Sequence, residues 1–344
     1  MGRPANGLIW SGTGTGNDNP PTDDIFYIKN GRKFLRSSAY LHKTSHEKDR
    51  PTPFYKTSYN NVDYAITEDG ETDIFSWETS VGNLIGKRQN NHFCEYPIKT
   101  IKDIDTWIHV FKNINFSKNE EWFNRHNVTK LSNFGLKWSP VQQLIQFDMG
   151  LENFYFFLVD APEKMQCLLE VMQERCMDRL RLALSLSSSN LSHVYWGENT
   201  SSVATPCHYY EKLTLPHIKA YAKLIHKHKS RLIVHMCGAL DGLLDCFLET
   251  GMDGINSATP PPFGDMPYSV LREKFQPDFT IHGRFNAQLW VGKSKQEIQN
   301  NIKQEIYPEL LYTPFCLMVT DDAMSDIPYD DVMNLYDALE TIKW

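Results

Sequence analysis

The chain has 344 residues, 41% of them apolar, and its 35 Lys and Arg against 42 Asp and Glu give a formal net charge of −7 at pH 7. An acidic balance without any Lys/Arg run argues against nucleic acid as the main partner. No stretch of about 18 uninterrupted apolar residues is present to span a membrane. Residues 1–6 have no apolar signal core, and Asn6 stands where a myristoylation signal has Ser or Thr. The expectation is a cytoplasmic protein forming one large domain over 1–344, with N-terminal elements to about 130 and a repeating αβ body over 131–344.

In chain order, residues 1 to about 55 read as loop. The stretch 13–21, Thr-Gly-Thr-Gly-Asn-Asp-Asn-Pro-Pro, lacks the Gly-Lys-Ser/Thr of a phosphate loop. Residues 59–88 alternate β-branched and aromatic residues around Asp69-Gly70, the pattern of a hairpin or small meander. From about 134 short apolar strands alternate with longer amphipathic helices. Strands are predicted at 134–138, 193–197, 231–236, 252–256, 278–283 and 314–319. Helices are predicted at 162–186, 206–228, 240–250, 295–306 and 329–342, the first two opened by prolines. This alternation implies a parallel sheet, and the count suits an α/β fold of the closed (β/α)8 TIM-barrel type with extra N-terminal helices.

Seven cysteines at irregular spacing do not make a secreted disulfide framework. Taken singly, each is more often a small core residue than a ligand. His235 and Cys237 stand out because residues i and i+2 of a strand share a face about 6.5–7 Å apart. An imidazole and a thiolate so placed can converge on one zinc ion, and Gly238 lets the chain turn away behind them. A catalytic zinc has three protein ligands and an open position. Cys316, on the last predicted strand, is the best-placed third ligand, with Cys207 at a helix start in reserve. Cys246, among leucines on a helix, reads as core.

Other polar residues gather at predicted strand ends. Glu198 is a candidate catalytic acid/base or further ligand. Asn199, Asp265, His282 and Asn286 are candidate substrate-binding residues, each with a bracing alternative as a cap, turn or core group. Asp253 and Asn256 end a strand, and Asp321-Asp322 reads as a solvated turn or, alternatively, a pocket acid pair.

Several segments resemble the uroporphyrinogen-decarboxylase-like superfamily, and within it the zinc-dependent corrinoid methyltransferases. They are Ile233-Val-His-Met-Cys-Gly, Glu249-Thr-Gly-Met-Asp-Gly-Ile, Thr259-Pro-Pro-Pro-Phe-Gly-Asp, Ser139-Pro140, Met149-Gly-Leu-Glu-Asn-Phe and Glu78-Thr-Ser-Val-Gly-Asn-Leu. The resemblance implies a (β/α)8 barrel and a zinc site of His-x-Cys plus a distant Cys, which His235, Cys237 and Cys316 match. The Arg-rich N-terminal motif with which the decarboxylase proper grips its acidic tetrapyrrole is absent from Gly7-Leu-Ile-Trp-Ser-Gly-Thr-Gly-Thr-Gly, which argues against that substrate. The expected activity is therefore demethylation of a small methylated compound, a methyl ether or methylated thiol, onto the cobalamin (corrinoid) cobalt of a separate corrinoid-binding protein. Homodimer formation is left open. The rivals are a metal-independent lyase using Glu198 and Asp265 on a carboxylated small molecule, and a non-enzymatic zinc-binding partner of a corrinoid protein.

Overall fold

The computed structural model describes residues 8–10, 25–28, 32–35, 54–90, 92–319 and 327–343. The stretch 13–21, expected as loop, and the Asp321-Asp322 pair lie outside the described residues. Three short strands, β1 (Leu8–Trp10), β2 (Ile25–Ile28) and β3 (Arg32–Leu35), form a sheet of order β1-β3-β2. Strand β4 (Tyr55–Tyr59) pairs antiparallel with β9 (Ile114–Lys118). Between them β5 (Val62–Asp69), β6 (Thr72–Thr79), β7 (Asn83–Gln89) and β8 (His92–Glu95) make the antiparallel meander expected from the alternating sequence around Asp69-Gly70. Gly70, at φ +61°, supplies the left-handed turn residue of its first hairpin.

The body of the molecule is a single parallel sheet of β10 (Phe134–Lys137), β11 (His193–Gly197), β12 (Arg231–His235), β13 (Gly254–Ala258), β14 (Thr280–Phe285) and β15 (Phe315–Val319), paired in chain order. Parallel neighbours need long crossovers, and helical segments supply them, including Pro162–Ser185, Leu215–Lys227, Leu244–Leu248, Tyr268–Lys274 and Lys295–Glu305. This is a TIM-barrel-like α/β fold. Among the described residues the sheet has six strands, and no ladder joins β15 back to β10.

Alternation along each strand decides which side chains meet the helices. Val194 and Trp196 are fully buried, and the Trp196 ring stacks on Tyr221 of helix Leu215–Lys227 with centroids 3.9 Å apart. Tyr195 and Gly197 therefore face the opposite side of the sheet, as do the residues in register with them. A second apolar cluster packs the meander against helices Ile101–Lys112, Gly150–Asp160 and Pro162–Ser185, with Trp77 edge-on to Trp107 at 4.8 Å.

Two sequence expectations shift. The helix expected over 206–228 divides into Cys207–Tyr209, a π-turn at Tyr210–Thr214 and Leu215–Lys227. Pro216 has no N–H to continue the ladder from the preceding turn. Strands β13 and β14 each begin two residues later than expected. Met252 N is held by Thr250 Oγ1, and the Asp253 carboxylate accepts from Leu232 N at 2.7 Å and lies 2.8 Å from His226 Nε2, so Asp253 sits at the entrance of β13 and not at its exit.

Close approach of strands constrains Gly254. A Cβ there would lie 2.6 Å from the Thr280 carbonyl oxygen and 2.7 Å from Ile233 Cδ1. Gly254→Ala is expected to cost about 1–3 kcal/mol, read as a lower urea midpoint with an unchanged slope. An unchanged midpoint would mean that the sheet absorbs the methyl group freely.

Candidate active site

One row of residues crosses the sheet in register. Gly197 pairs with His235, His235 with Asn256, Asn256 with His282, and His282 with Cys316. In-register neighbours of a parallel sheet point to the same face, here the face turned away from the Trp196–Tyr221 stack. Hydrogen bonds join the middle of the row. His235 Nδ1 lies 2.6 Å from Asn256 Oδ1, and Asn256 Nδ2 lies 3.1 Å from His282 Nδ1. The Tyr195 hydroxyl donates to the same Asn256 Oδ1 at 3.2 Å.

This geometry fixes two tautomers. A carboxamide oxygen can only accept, so neutral His235 carries its proton on Nδ1 and its lone pair on Nε2. The carboxamide nitrogen donates to His282 Nδ1, which makes His282 the Nε2–H tautomer. Burial pushes His282 down to about 3, with His193 adding to the effect, so His282 is neutral at pH 7 and able to receive that bond. Asn256, read from the sequence only as a strand-end residue, thus orients two imidazoles in opposite senses.

The turns beyond β11 and β12 are tied together at the same edge. The His235 carbonyl accepts from both Glu198 N and Asn199 N at 3.0 Å. The two amides converge because Asn199 adopts φ +51°, a left-handed conformation that Asn tolerates. Cys237 Sγ lies 3.7 Å from Asn199 Oδ1. Gly238 follows at φ +123°, and a Cβ there would meet Ser201 at 3.1 Å, which explains the glycine behind the His-x-Cys pair.

Glu198 is fully buried. Its oxygens accept from Ser139 N at 3.0 Å and Ser139 Oγ at 2.5 Å, linking the ends of β10 and β11. Burial pushes its carboxyl up to about 8, against the Ser139 bonds, which favour the ionised form. Burial thus favours the protonated form of this carboxyl.

The remaining predicted residues are placed differently. Both Asp265 oxygens accept backbone amides, from Leu240 at 2.7 Å and Asp241 at 3.2 Å, bracing the segment after Cys237. Asn286 Oδ1 accepts from Gln288 N at 3.0 Å and caps the short helix Ala287–Leu289. Cys316 is buried on the same row, three strands from His235, or about 14 Å along the sheet at the usual strand spacing. The structure thus brings His235, Asn256 and His282 into one network and Cys237 beside Asn199, with Cys316 across the same face. Among the described residues, the His/Cys/Asp/Glu group whose donor atoms all lie within 4.8 Å of one another is a different one, Cys207, Glu211 and Cys246. Cys246, expected as plain core, is buried but pairs with Cys207.

The raised Glu198 carboxyl has a signed consequence. The folded chain keeps a proton that the unfolded chain releases near 4.5, so this group's contribution is fully present below that pH and is lost as pH rises to about 8. Glu198→Gln should therefore flatten the fall in Tm between pH 5 and 8. An identical slope in both proteins would show that Glu198 is ionised throughout.

The uroporphyrinogen decarboxylase (URO-D) family pattern matches residues 128–340, which takes in β10 to β15 and the helices between them. None of the curated proteins matches the chain. Among solved structures, the chain resembles a methyltransferase from Methanosarcina mazei at 10% identity and a TM-score of 0.50, over 72% of this chain and 70% of that one. The YdhT protein from Bacillus subtilis aligns at 12% identity and a TM-score of 0.28, over 57% of this chain and 62% of that one. The chain belongs to the uroporphyrinogen decarboxylase family.

Proposed function

We propose that this chain is a zinc-dependent methyltransferase, moving a methyl group from a small methyl ether or methylated thiol to the cobalt of a corrinoid carried by a separate protein. The observation that supports this most is the in-register row with its Asn256-fixed imidazoles. The bond from His235 Nδ1 to Asn256 leaves Nε2 as the ring nitrogen suited to a metal. A carboxamide or carboxylate partner on the other nitrogen is the usual support for a ligating histidine. Cys237, two residues on, adds a thiolate, and the imidazole and thiolate are donor types that zinc takes. Cys316, on the same sheet face but three strands away, would have to approach them to serve as third ligand.

Bound zinc supplies Lewis-acid polarisation of the substrate's ether oxygen or sulfur. The chain's own groups do the rest. Asn256 keeps His235 in the ligating tautomer. Neutral His282 presents an N–H donor, and Asn199 a carboxamide, to a polar substrate group. Burial favours the protonated form of Glu198, the form that can give a proton to the leaving oxygen or sulfur. Its burial behind Ser139 makes transfer dependent on movement of the turn after β11. The corrinoid partner would dock over the strand ends that carry these residues. The metal-independent lyase reading loses one of its two acids, since Asp265 is committed to backbone amides.

The test is direct. The purified protein should carry about one zinc per chain and, given a methyl ether or methylated thiol and a reduced corrinoid protein, should methylate the corrinoid. Cys237→Ala should abolish both zinc retention and transfer. Glu198→Gln should keep zinc but slow transfer by at least about tenfold. A metal-free wild-type protein after zinc-supplemented expression would overturn the metal reading. A zinc-loaded protein inert toward every such donor would leave a zinc-binding partner protein and not an enzyme.

A further inference from the structure

Away from the row, two cysteines from different crossovers come together. Cys207 opens the helical segment that follows β11, and Cys246 lies in helix Leu244–Leu248, which follows β12. Their sulfurs are 2.7 Å apart. Glu211 Oε1 lies 3.7 Å from Cys207 Sγ and 3.9 Å from Cys246 Sγ. Cys246 is 3% exposed, Cys207 is half-buried, and Glu211 is at the surface.

The sulfur separation discriminates between the two things such a group can do. Non-bonded heavy atoms rest at roughly 3.5–4.0 Å, so the pair is well inside contact distance. A tetrahedral zinc bound at about 2.3 Å from each thiolate would hold them about 3.8 Å apart, so chelation requires the sulfurs to separate by about 1.1 Å. A disulfide at about 2.05 Å requires them to close by only about 0.65 Å.

We propose that Cys207 and Cys246 are a redox pair that closes to a reversible disulfide, joining the segments that follow β11 and β12. The oxidant is a small disulfide, RSSR. The Cys207 thiolate attacks one sulfur of RSSR, giving a mixed disulfide and releasing RS⁻. Cys246 then attacks the Cys207 sulfur and expels the second RS⁻, its own proton passing by way of Glu211 to water. In sum, two protein thiols are oxidised by two electrons and RSSR is reduced to two RSH. Burial, with the adjacent Cys207 sulfur, pushes the Cys246 thiol up to about 12, so the more accessible Cys207 is the entering nucleophile.

The cross-link would lie just beyond the site. The turns after β11 and β12 are already joined by Ser202 N donating to the Ala239 carbonyl at 2.8 Å. They carry Glu198, Asn199 and Cys237 at their start, and the disulfide would pin the chain beyond them. The inference rests on this pair's own geometry and holds whether or not the methyl-transfer reading does.

The experiment treats the zinc-depleted full chain with hydroxyethyl disulfide, then alkylates under denaturing conditions and maps the peptides. The expected product links the Cys207 and Cys246 peptides, with Tm raised by about 5 °C relative to the reduced chain. Cys246→Ser should stop at a mixed disulfide on Cys207, and Cys207→Ser should leave Cys246 alkylatable. Wild-type Cys207 stopping as a mixed adduct, or both thiols remaining alkylatable, would overturn the proposal. So would added zinc protecting both thiols with a stoichiometry that Cys207→Ser lowers by one, because the pair would then be a metal clip.

Discussion

Asn256 bridges two histidines, its oxygen toward His235 and its nitrogen toward His282. The Tyr195 hydroxyl donates to the same oxygen, and burial keeps His282 neutral, so each ring takes the tautomer that this arrangement requires. The bond to His235 is short and partly buried, so a polar group left unpaired here would lack full compensation from water. Sheet register creates this arrangement. Asn256 reaches both rings because β13 lies between β12 and β14 with His235, Asn256 and His282 level. A slip of β13 by one residue would turn Asn256 to the helix-covered face and part the two rings.

The rest of the site is built from ties between consecutive strand ends. Ser139 holds Glu198, the His235 carbonyl holds the Glu198 and Asn199 amides, and Asp265 holds the segment after Cys237. Each tie joins one strand end to the next around the sheet. Residues that look catalytic in isolation thus divide into two kinds. Asp265 and Asn286 spend their oxygens on backbone amides, whereas the histidine–asparagine row and Cys237 present side chains to the sheet face. Glu198 belongs partly to both, being a structural tie whose burial also favours its protonated form.

Much of this frame was legible in the sequence. Strand β11 falls at the predicted residues, and the positions of His235, Cys237 and Gly238 follow from one strand ending in a sharp turn. The meander around Asp69-Gly70 was also readable from alternation. What was hidden depends on distance in sequence. Asn256 could be placed near a strand end, but its two imidazole partners depend on lateral register, which periodicity along one strand does not encode. Cys246 looked like core because leucines surround it locally, and its neighbour Cys207 arrives from the preceding crossover. The π-turn at Tyr210–Thr214 was hidden because an amphipathic pattern runs on through it. Glu198 could be read as a strand-end candidate acid/base or ligand, yet its bonds to Ser139, 59 residues earlier, could not be foreseen.

The central claim is that Asn256 makes His235 a zinc ligand by holding its tautomer. It is tested by the zinc affinity of Asn256→Ala, measured by chelator competition in a Cys207→Ser background that removes the other thiol pair. Loss of a carboxamide behind a ligating imidazole should weaken zinc binding by about 10–100-fold while leaving the fold intact. Zinc bound as tightly as in the parent would contradict the account, and would mean that the row is a structural network and that any metal site lies elsewhere.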